Sequence, residues 1–154
     1  NERFYVMALE DINPGTYYCW YYAAYGKLDK TVITSDNDFG QGRENTEYVN
    51  GKWNDPNLPW GAHNDNSSYD DMWEAIQEEI ADGWFVPSKS EWSAFGEAFE
   101  ITSSNYYNTY GLSYAYWSSS QNFRGNAYNA NFDYGNVGNL YVNSIGSVRL
   151  ATTF

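Results

Sequence analysis

The chain has 154 residues, 20 of them acidic and 8 basic, and a formal net charge of −12. This length suits one globular domain of about 100–200 residues rather than two cores. The acidic balance argues against nucleic acid as the main partner, because phosphate binding needs a basic patch. Every apolar run is interrupted well before the roughly 18–20 residues that a membrane helix requires. We therefore expect a single globular domain over residues 1–154, with no membrane span.

Charge and cysteine content add two constraints. Residues 1–100 hold 19 acidic and 6 basic side chains, whereas the last 54 residues hold only Asp133, Arg124 and Arg149. Cys19 is the only cysteine, so an intrachain disulfide is excluded and a buried, unreactive thiol is expected. Residue 1 is not followed by a secretion-signal pattern, so we expect any signal or lipid anchor to have been removed or to lie outside this sequence.

Two helices are predicted in the middle of the chain. Met72, Ile76 and Ile80 recur at helical spacing between Asp70, a good N-cap, and Gly83, a good C-terminal stop, which predicts a helix over residues 71–81. Pro87 then precedes the run SKSE (residues 88–91), a capping box in which serine and glutamate each satisfy a free amide at the helix start. Trp92, Phe95 and Phe99 follow on one face, which predicts a second helix over residues 89–99.

Short strands are predicted after these helices. Residues 128–132 alternate apolar and polar side chains, residues 148–151 do so less cleanly, and residues 114–120 are rich in aromatic and serine residues. Turns are predicted at residues 134–136 and at Gly138-Asn139, and weaker strands at residues 4–9 and 32–33. Helices followed by a block of antiparallel strands indicate an α+β domain.

Residues 34–70 are predicted to form a long loop with a helical turn around residues 44–53. A loop of this length in a compact domain is usually functional or is packed by its own aromatic side chains. Tyr48, Trp53 and Trp60 are the candidates for that packing.

The chain carries few candidate catalytic or metal-binding motifs. His63 is the only histidine and lies in a polar loop, where an exposed side chain is a better interpretation than a catalytic triad or a zinc site. Asp36, Asp38 and Glu47 have the spacing of part of an EF-hand loop, but Gly40 occupies a ligand position, so a solvated acidic loop is favoured over bound calcium. The chain contains no phosphate-binding glycine loop and no dinucleotide fingerprint. We expect no cofactor.

Three motifs in order resemble a C-type-lectin-fold domain. They are GWFVPSKSEW (residues 83–92), YWSSSQ (116–121) and VRLATTF (148–154). Within that fold they are most similar to the branch shared by formylglycine-generating-enzyme-like domains and the variable proteins of diversity-generating retroelements. The resemblance implies two helices packed on short antiparallel strands with long loops. It also implies a variable region at about residues 113–147.

In that family a reverse transcriptase miscopies template adenines, so AAC codons become NNC, which cannot encode Glu, Gln, Lys, Met or Trp. Residues 1–117 contain 25 residues of these five types, whereas residues 118–154 contain only one, Gln121. At the frequency found in residues 1–117, about eight such residues would be expected in residues 118–154. A compositional bias of this size carries information about the origin of the segment. The alternative is that turns and short edge strands favour Asn, Tyr, Ser and Gly in any case.

The composition of the late segment also suits binding. Tyrosine supplies rigid amphipathic contact area, while Ser, Gly and Asn supply adaptable hydrogen bonds, as in antibody combining loops. The residues that look like substituted asparagines between the fixed motifs are predicted to bind ligand and to cluster on one exposed face. They are Tyr114, Ala115, Asn122, Phe123, Arg124, Asp133, Tyr134, Asn136, Gly138, Asn139, Leu140, Tyr141, Asn143, Ser144, Ile145, Gly146 and Ser147.

Other late residues are assigned to the framework. They are Trp117, Tyr128, Phe132, Val148 and Leu150, with Arg149 as a partner for a carboxylate. The resemblance thus favours a non-catalytic receptor or adhesin module. Its ligand would be a protein or glycan on another cell or a phage surface. The protein itself would sit on a cell surface, outside the cell or on a phage particle.

Two alternatives from other classes stay open. A calcium-dependent carbohydrate-binding lectin is suggested by Trp53-Asn54-Asp55, a tripeptide associated with sugar-binding calcium lectins. It lies before both predicted helices and lacks the Glu-Pro-Asn partner, so coincidence is favoured. A formylglycine-generating oxidase would, by resemblance, need a copper-binding cysteine pair, and this chain has one cysteine.

Overall fold

We describe the protein from a computed structural model over residues 4–21, 39–57, 69–123, 126–133, 136–142 and 144–154. These residues form a mixed α+β structure, as predicted. Its helices are α1 (Gly42–Trp53), α2 (Met72–Ala75), α3 (Gln77–Ala81) and α4 (Lys89–Ala98). Its strands are β1 (Tyr5–Met7), β2 (Tyr18–Cys19), β3 (Ala115–Phe123), β4 (Asn126–Asn131), β5 (Asn136–Tyr141), β6 (Ile145–Gly146) and β7 (Ala151–Thr153).

The strands form three small antiparallel sheets. β1 pairs with β7 and β2 pairs with β6, so each of these sheets joins an early part of the chain to a late one. The third sheet has the order β3-β4-β5, a meander of consecutive strands. The late strand block is therefore held to the start of the chain at two places.

Two strand predictions need correction. The turn predicted at Gly138-Asn139 is wrong, because both residues lie within β5, paired with Asn129 and Tyr128 of β4. The strand predicted over residues 148–151 begins only at Ala151; Val148 and Leu150 instead accept single backbone hydrogen bonds from Ile12 and Ala8. Residues 32–33 lie outside the described ranges.

The predicted helix over residues 71–81 is broken into α2 and α3 at Ile76. Its N-cap is Asp71, whose carboxylate accepts from the Glu74 amide, and not Asp70. The Asp70 carbonyl accepts instead from the Cys19 amide at 3.0 Å. Gly83 follows α3 with a positive φ of 94°, the left-handed conformation expected after a helix C-terminus.

α4 matches its prediction closely. It begins with the predicted capping box, in which Ser88 accepts from the Glu91 amide and the Glu91 carboxylate accepts from the Ser88 amide. Trp92 and Phe95 are buried beneath the helix. Phe99 is the C-cap and is 50% exposed, so the helix ends one residue earlier than predicted.

α1 is a twelve-residue helix where only a helical turn was predicted. Glu91 helps to explain the difference, because its Oε2 accepts from the amides of Gly40 and Gly42 at 3.0 and 3.4 Å. Burial raises the pKa of the Glu91 carboxyl above its ordinary value, although these amide hydrogen bonds oppose that shift. A Cβ on Gly42 would overlap the Glu91 carboxylate, so glycine is required at this contact. One carboxylate therefore caps two helices.

The largest core cluster packs indole rings from distant parts of the chain. Trp20, Trp73 and Trp117 are fully buried in it, and Trp53 joins them from α1. A second cluster beneath α4 contains Trp92, Tyr116 and Phe132. Trp53 fills the interior as predicted for the aromatic side chains of residues 34–70, whereas Tyr48 is exposed and Trp60 lies outside the described ranges.

Candidate functional site

The YWSSSQ motif forms the buried first part of β3. The Trp117 indole donates to the Tyr18 carbonyl at 2.8 Å, and the Trp20 indole donates to the Ser118 carbonyl at 2.7 Å. Ser118 Oγ donates to the Tyr128 carbonyl at 2.8 Å, and Ser120 Oγ accepts from the Lys89 amide at 3.1 Å. Ser119 Oγ accepts from the Asn45 side-chain amide at 3.4 Å, so all three serine hydroxyls bond within the protein. Such bonds are required because buried polar groups are costly without partners.

The framework assignments agree with the burial found. Trp117, Phe132, Val148 and Leu150 are buried, and Tyr128 is partly exposed. The predicted carboxylate partner of Arg149 is Asp11, whose Oδ1 lies 2.7 Å from Arg149 Nε.

This ion pair belongs to a larger polar network. Asp11 Oδ1 also accepts from the Tyr116 hydroxyl at 2.7 Å, while Asp11 Oδ2 accepts from Ser113 Oγ at 2.9 Å. Burial, followed by the hydrogen bond to Asp11, raises the pKa of Tyr116 to about 12. The network ties the loop after β1 to the start of β3 and to the residue before Leu150.

The predicted ligand-binding residues lie on and around the β3-β4-β5 sheet, with differing exposure. Tyr114 and Leu140 are 42% and 37% exposed, and Asp133 is also exposed. Gly138, Ser144 and Ile145 are partly exposed. By their backbones Asn122 and Phe123 end β3, and Asn136, Asn139 and Tyr141 lie on β5. Arg124, Tyr134 and Asn143 lie outside the described ranges.

For three predicted residues the expectation of an exposed position is wrong, since Ala115, Gly146 and Ser147 are buried. The Ala115 carbonyl accepts from the Ser147 amide at 3.1 Å, and the Ser147 carbonyl accepts from the Trp117 amide at 3.1 Å. A Cβ on Gly146 would lie 3.1 Å from the Trp117 indole nitrogen, because the ring packs closely against this backbone. These residues form the seam between β3 and β6.

A tyrosine-rich loop that the sequence reasoning missed lies beside the predicted surface. The Tyr106 hydroxyl donates to Asp133 Oδ1 at 2.7 Å, and this hydrogen bond raises the pKa of Tyr106. Tyr107 is 70% exposed, and the Tyr110 hydroxyl donates to the Phe99 carbonyl at 2.6 Å. The loop, residues 102–111, has the same Asn, Tyr, Ser and Gly composition as the late segment. That composition was the signal that could have identified it.

Two fragments of the sequence resemble parts of calcium sites, and their described residues lie in a helix or make local hydrogen bonds. Glu47 lies in α1, whereas Asp36, Asp38 and His63 lie outside the described ranges. In the tripeptide, the Trp53 indole donates to Asp71 Oδ2 at 3.1 Å, and the side-chain Nδ2 of Asn54 donates to Gln77 Oε1 at 3.1 Å. No cluster of three or more His, Cys, Asp or Glu side chains that could hold a metal ion occurs among the described residues.

Cys19 is buried, as predicted, and its sulfur lies 3.5 Å from the Asp70 carbonyl oxygen. Of the helices that the structure describes, none has the length and apolar character to cross a membrane. Comparison with protein-family models, curated proteins and solved structures found no match to this chain.

Proposed function

We propose that this protein is a non-catalytic ligand-binding module, of receptor or adhesin type, that displays a diversified surface on a C-type lectin scaffold. We further propose that it is the target protein of a diversity-generating retroelement. The basis is the ordered resemblance of its three motifs to that family. Its ligand would be a protein or glycan on another cell or phage surface.

The observation that carries the proposal is the depletion of five residue types from residues 118–154. Adenine mutagenesis of AAC codons would produce it, because NNC codons cannot encode Glu, Gln, Lys, Met or Trp. The one exception, Gln121, is buried in β3 beside the serines of the motif. An exception at a framework position is consistent with mutagenesis restricted to binding positions.

The burial pattern offers a physical reason why such a surface could vary. Tyr114, Asp133 and Leu140 are exposed, so replacing them removes little buried contact. Tyrosines in the neighbouring loop, Tyr106 and Tyr107, would enlarge the contact area. Large rigid aromatic side chains with small polar neighbours are the composition of adaptable binding sites.

The decisive test is a comparison of DNA sequences. The proposal expects a near-identical second copy of the 3′ coding end beside a reverse transcriptase gene. Differences between the two copies would coincide with adenines in that second copy and would fall in codons for the predicted ligand-binding residues. Differences spread evenly over all four bases, or a source genome with no such copy, would contradict the proposal.

Binding can be tested on the protein itself. A library randomised at Tyr114, Asp133 and Leu140 should yield folded variants with new binding specificities against a panel of cell-surface proteins and glycans. A matched library randomised at Ser118, Ser119 and Ser120 should yield mostly unfolded protein. Equal folding of the two libraries would argue against a scaffold with a separate variable surface.

A further inference from the structure

A cavity of about 200 Å³ is lined by none of the predicted ligand-binding residues. Its apolar wall comes from the end of β1, the segment after α4 and the loop before β3. The main lining side chains are Leu9, Phe99, Ile101, Tyr110 and Leu112, and Arg149 completes the wall. A charged side chain within an otherwise apolar wall is a feature of small-molecule sites, where a few polar groups orient the ligand.

The guanidinium of Arg149 has unused hydrogen-bonding capacity. Its side chain is only 8% exposed, and its one hydrogen bond to a described residue runs from Nε to Asp11. The second oxygen of Asp11 accepts from Ser113 Oγ, and the pair with Arg149 is single rather than two-pronged. Neither Nη nitrogen therefore has an acceptor among the residues that the structure describes. Both Nη groups can therefore donate to a ligand in the cavity, whose wall includes Arg149.

We propose that this cavity binds a small organic acid that carries an aromatic or short aliphatic group beside its carboxylate. The two oxygens of a carboxylate match the paired Nη donors of a guanidinium, and such charge-assisted bonds are stronger than neutral ones. The apolar group of the acid would contact Phe99, Ile101 and Leu112. This inference does not depend on the proposed function of the late segment.

The local charges set the conditions for a test. Asp11 contacts Arg149 directly, and the exposed acids Glu10 and Glu100 are sequence neighbours of Leu9 and Ile101. They oppose the approach of an anion. At an ionic strength of about 0.15 M this repulsion is largely screened beyond about 8 Å, whereas the contact inside the cavity is screened much less. Binding should therefore be measured at that ionic strength.

Phenylacetate is a suitable probe, because it combines one ring with one carboxylate. Titrated into ¹⁵N-labelled protein, it should shift the amides of Leu9, Ile101 and Leu112 and the Nε–H of Arg149 saturably. A ligand of this size should have a Kd of about 1 mM. Phenylacetamide and 2-phenylethanol should bind at least about fivefold more weakly, because they lack the charged acceptor. Equal binding of the neutral analogues, or no saturable shift by about 20 mM phenylacetate, would overturn the proposal.

A matched pair of variants tests the position of the carboxylate without disturbing the fold. Leu9 lines the cavity yet is 93% exposed, so it can be replaced with little effect on folding. Leu9→Glu should weaken phenylacetate binding at least about threefold relative to Leu9→Gln, since only the glutamate repels the ligand. Equal affinities of these two variants would show that no anion binds in the cavity.

Discussion

β3 and β5 are the two outer strands of one sheet, and they are held in the protein differently. The free edge of β3 is covered, because the Ser119 amide donates to the Pro87 carbonyl at 2.9 Å and the Trp117 amide to the Ser147 carbonyl at 3.1 Å. Every residue of β3 from Ala115 to Gln121 is buried. β5 has Leu140 exposed and Gly138 partly exposed. A single sheet thus combines a strand covered on both sides with one that is partly exposed.

The largest expected effect comes from the fixed strand. Trp117→Ala should lower the free energy of unfolding by about 3–5 kcal/mol, because it removes a fully buried ring from the main cluster. Chemical denaturation would measure the loss, with Leu140→Ala as the matched control from β5. If Trp117→Ala does not fold, Trp117→Phe should cost about 1–3 kcal/mol through the lost bond to the Tyr18 carbonyl. A cost no greater than that of Leu140→Ala would remove the distinction between the strands.

Two Tyr–Asp hydrogen bonds between described residues give a second comparison. Both are 2.7 Å long, but Tyr116–Asp11 is largely buried and Tyr106–Asp133 lies at the surface. Asp11→Ala should cost about 3 kcal/mol, because it leaves the Arg149 charge buried without its partner. Asp133→Ala should cost much less, since water replaces the lost acceptor. Similar losses in thermal or chemical unfolding would contradict this account.

Gly146→Ala should have an intermediate effect. The new Cβ would approach the Trp117 indole to 3.1 Å, and shifting a buried ring costs about 1–2 kcal/mol. Gly51→Ala is the control, because no atom lies within 4 Å of its new Cβ and alanine favours the helix by about 0.5–1 kcal/mol. Opposite shifts in the unfolding midpoint are expected. If the Gly146→Ala protein is as stable as the parent, residue 146 again becomes a candidate variable position.

The smallest effects are expected at exposed predicted positions. Leu140→Ser and Tyr114→Ser should each change the free energy of unfolding by no more than about 0.5 kcal/mol, as is usual for surface substitutions. Their effect should appear in ligand affinity instead. A loss above about 2 kcal/mol at either position would mean that the framework extends to it.

Local interactions explain which predictions from the sequence were confirmed. The capping box at Ser88 and Glu91 depends on neighbours three residues apart, so it is readable from the chain. The start of α1 depends on Glu91, which lies about fifty residues further along. The N-cap at Asp71 was missed because the Asp70 carbonyl bonds to Cys19 of β2. Such long-range contacts leave no local pattern.

In the candidate site, too, long-range contacts determine what the sequence left open. Arg149 was correctly given a carboxylate partner, but the identity of Asp11 needed the fold. The turn predicted at Gly138-Asn139 was overridden by pairing with β4. The prediction that Ala115, Gly146 and Ser147 are exposed ligand-binding residues rested on their positions between the motifs. Those positions do not indicate that the residues lie in the seam between β3 and β6. The residue composition identified the late segment, whereas the structure was needed to distinguish its exposed residues from its buried ones.

The pairing of β1 with β7 has a consequence for engineering. The Phe4 amide donates to the Phe154 carbonyl at 3.3 Å, and the Phe154 amide donates to the Phe4 carbonyl at 3.1 Å. A short peptide linker could therefore join residues 154 and 4 into a circular backbone without disturbing either strand. Cyclisation removes conformational entropy from the unfolded chain, most strongly for a long loop. A circular form should melt at a higher temperature while leaving Tyr114 and Leu140 available for contact.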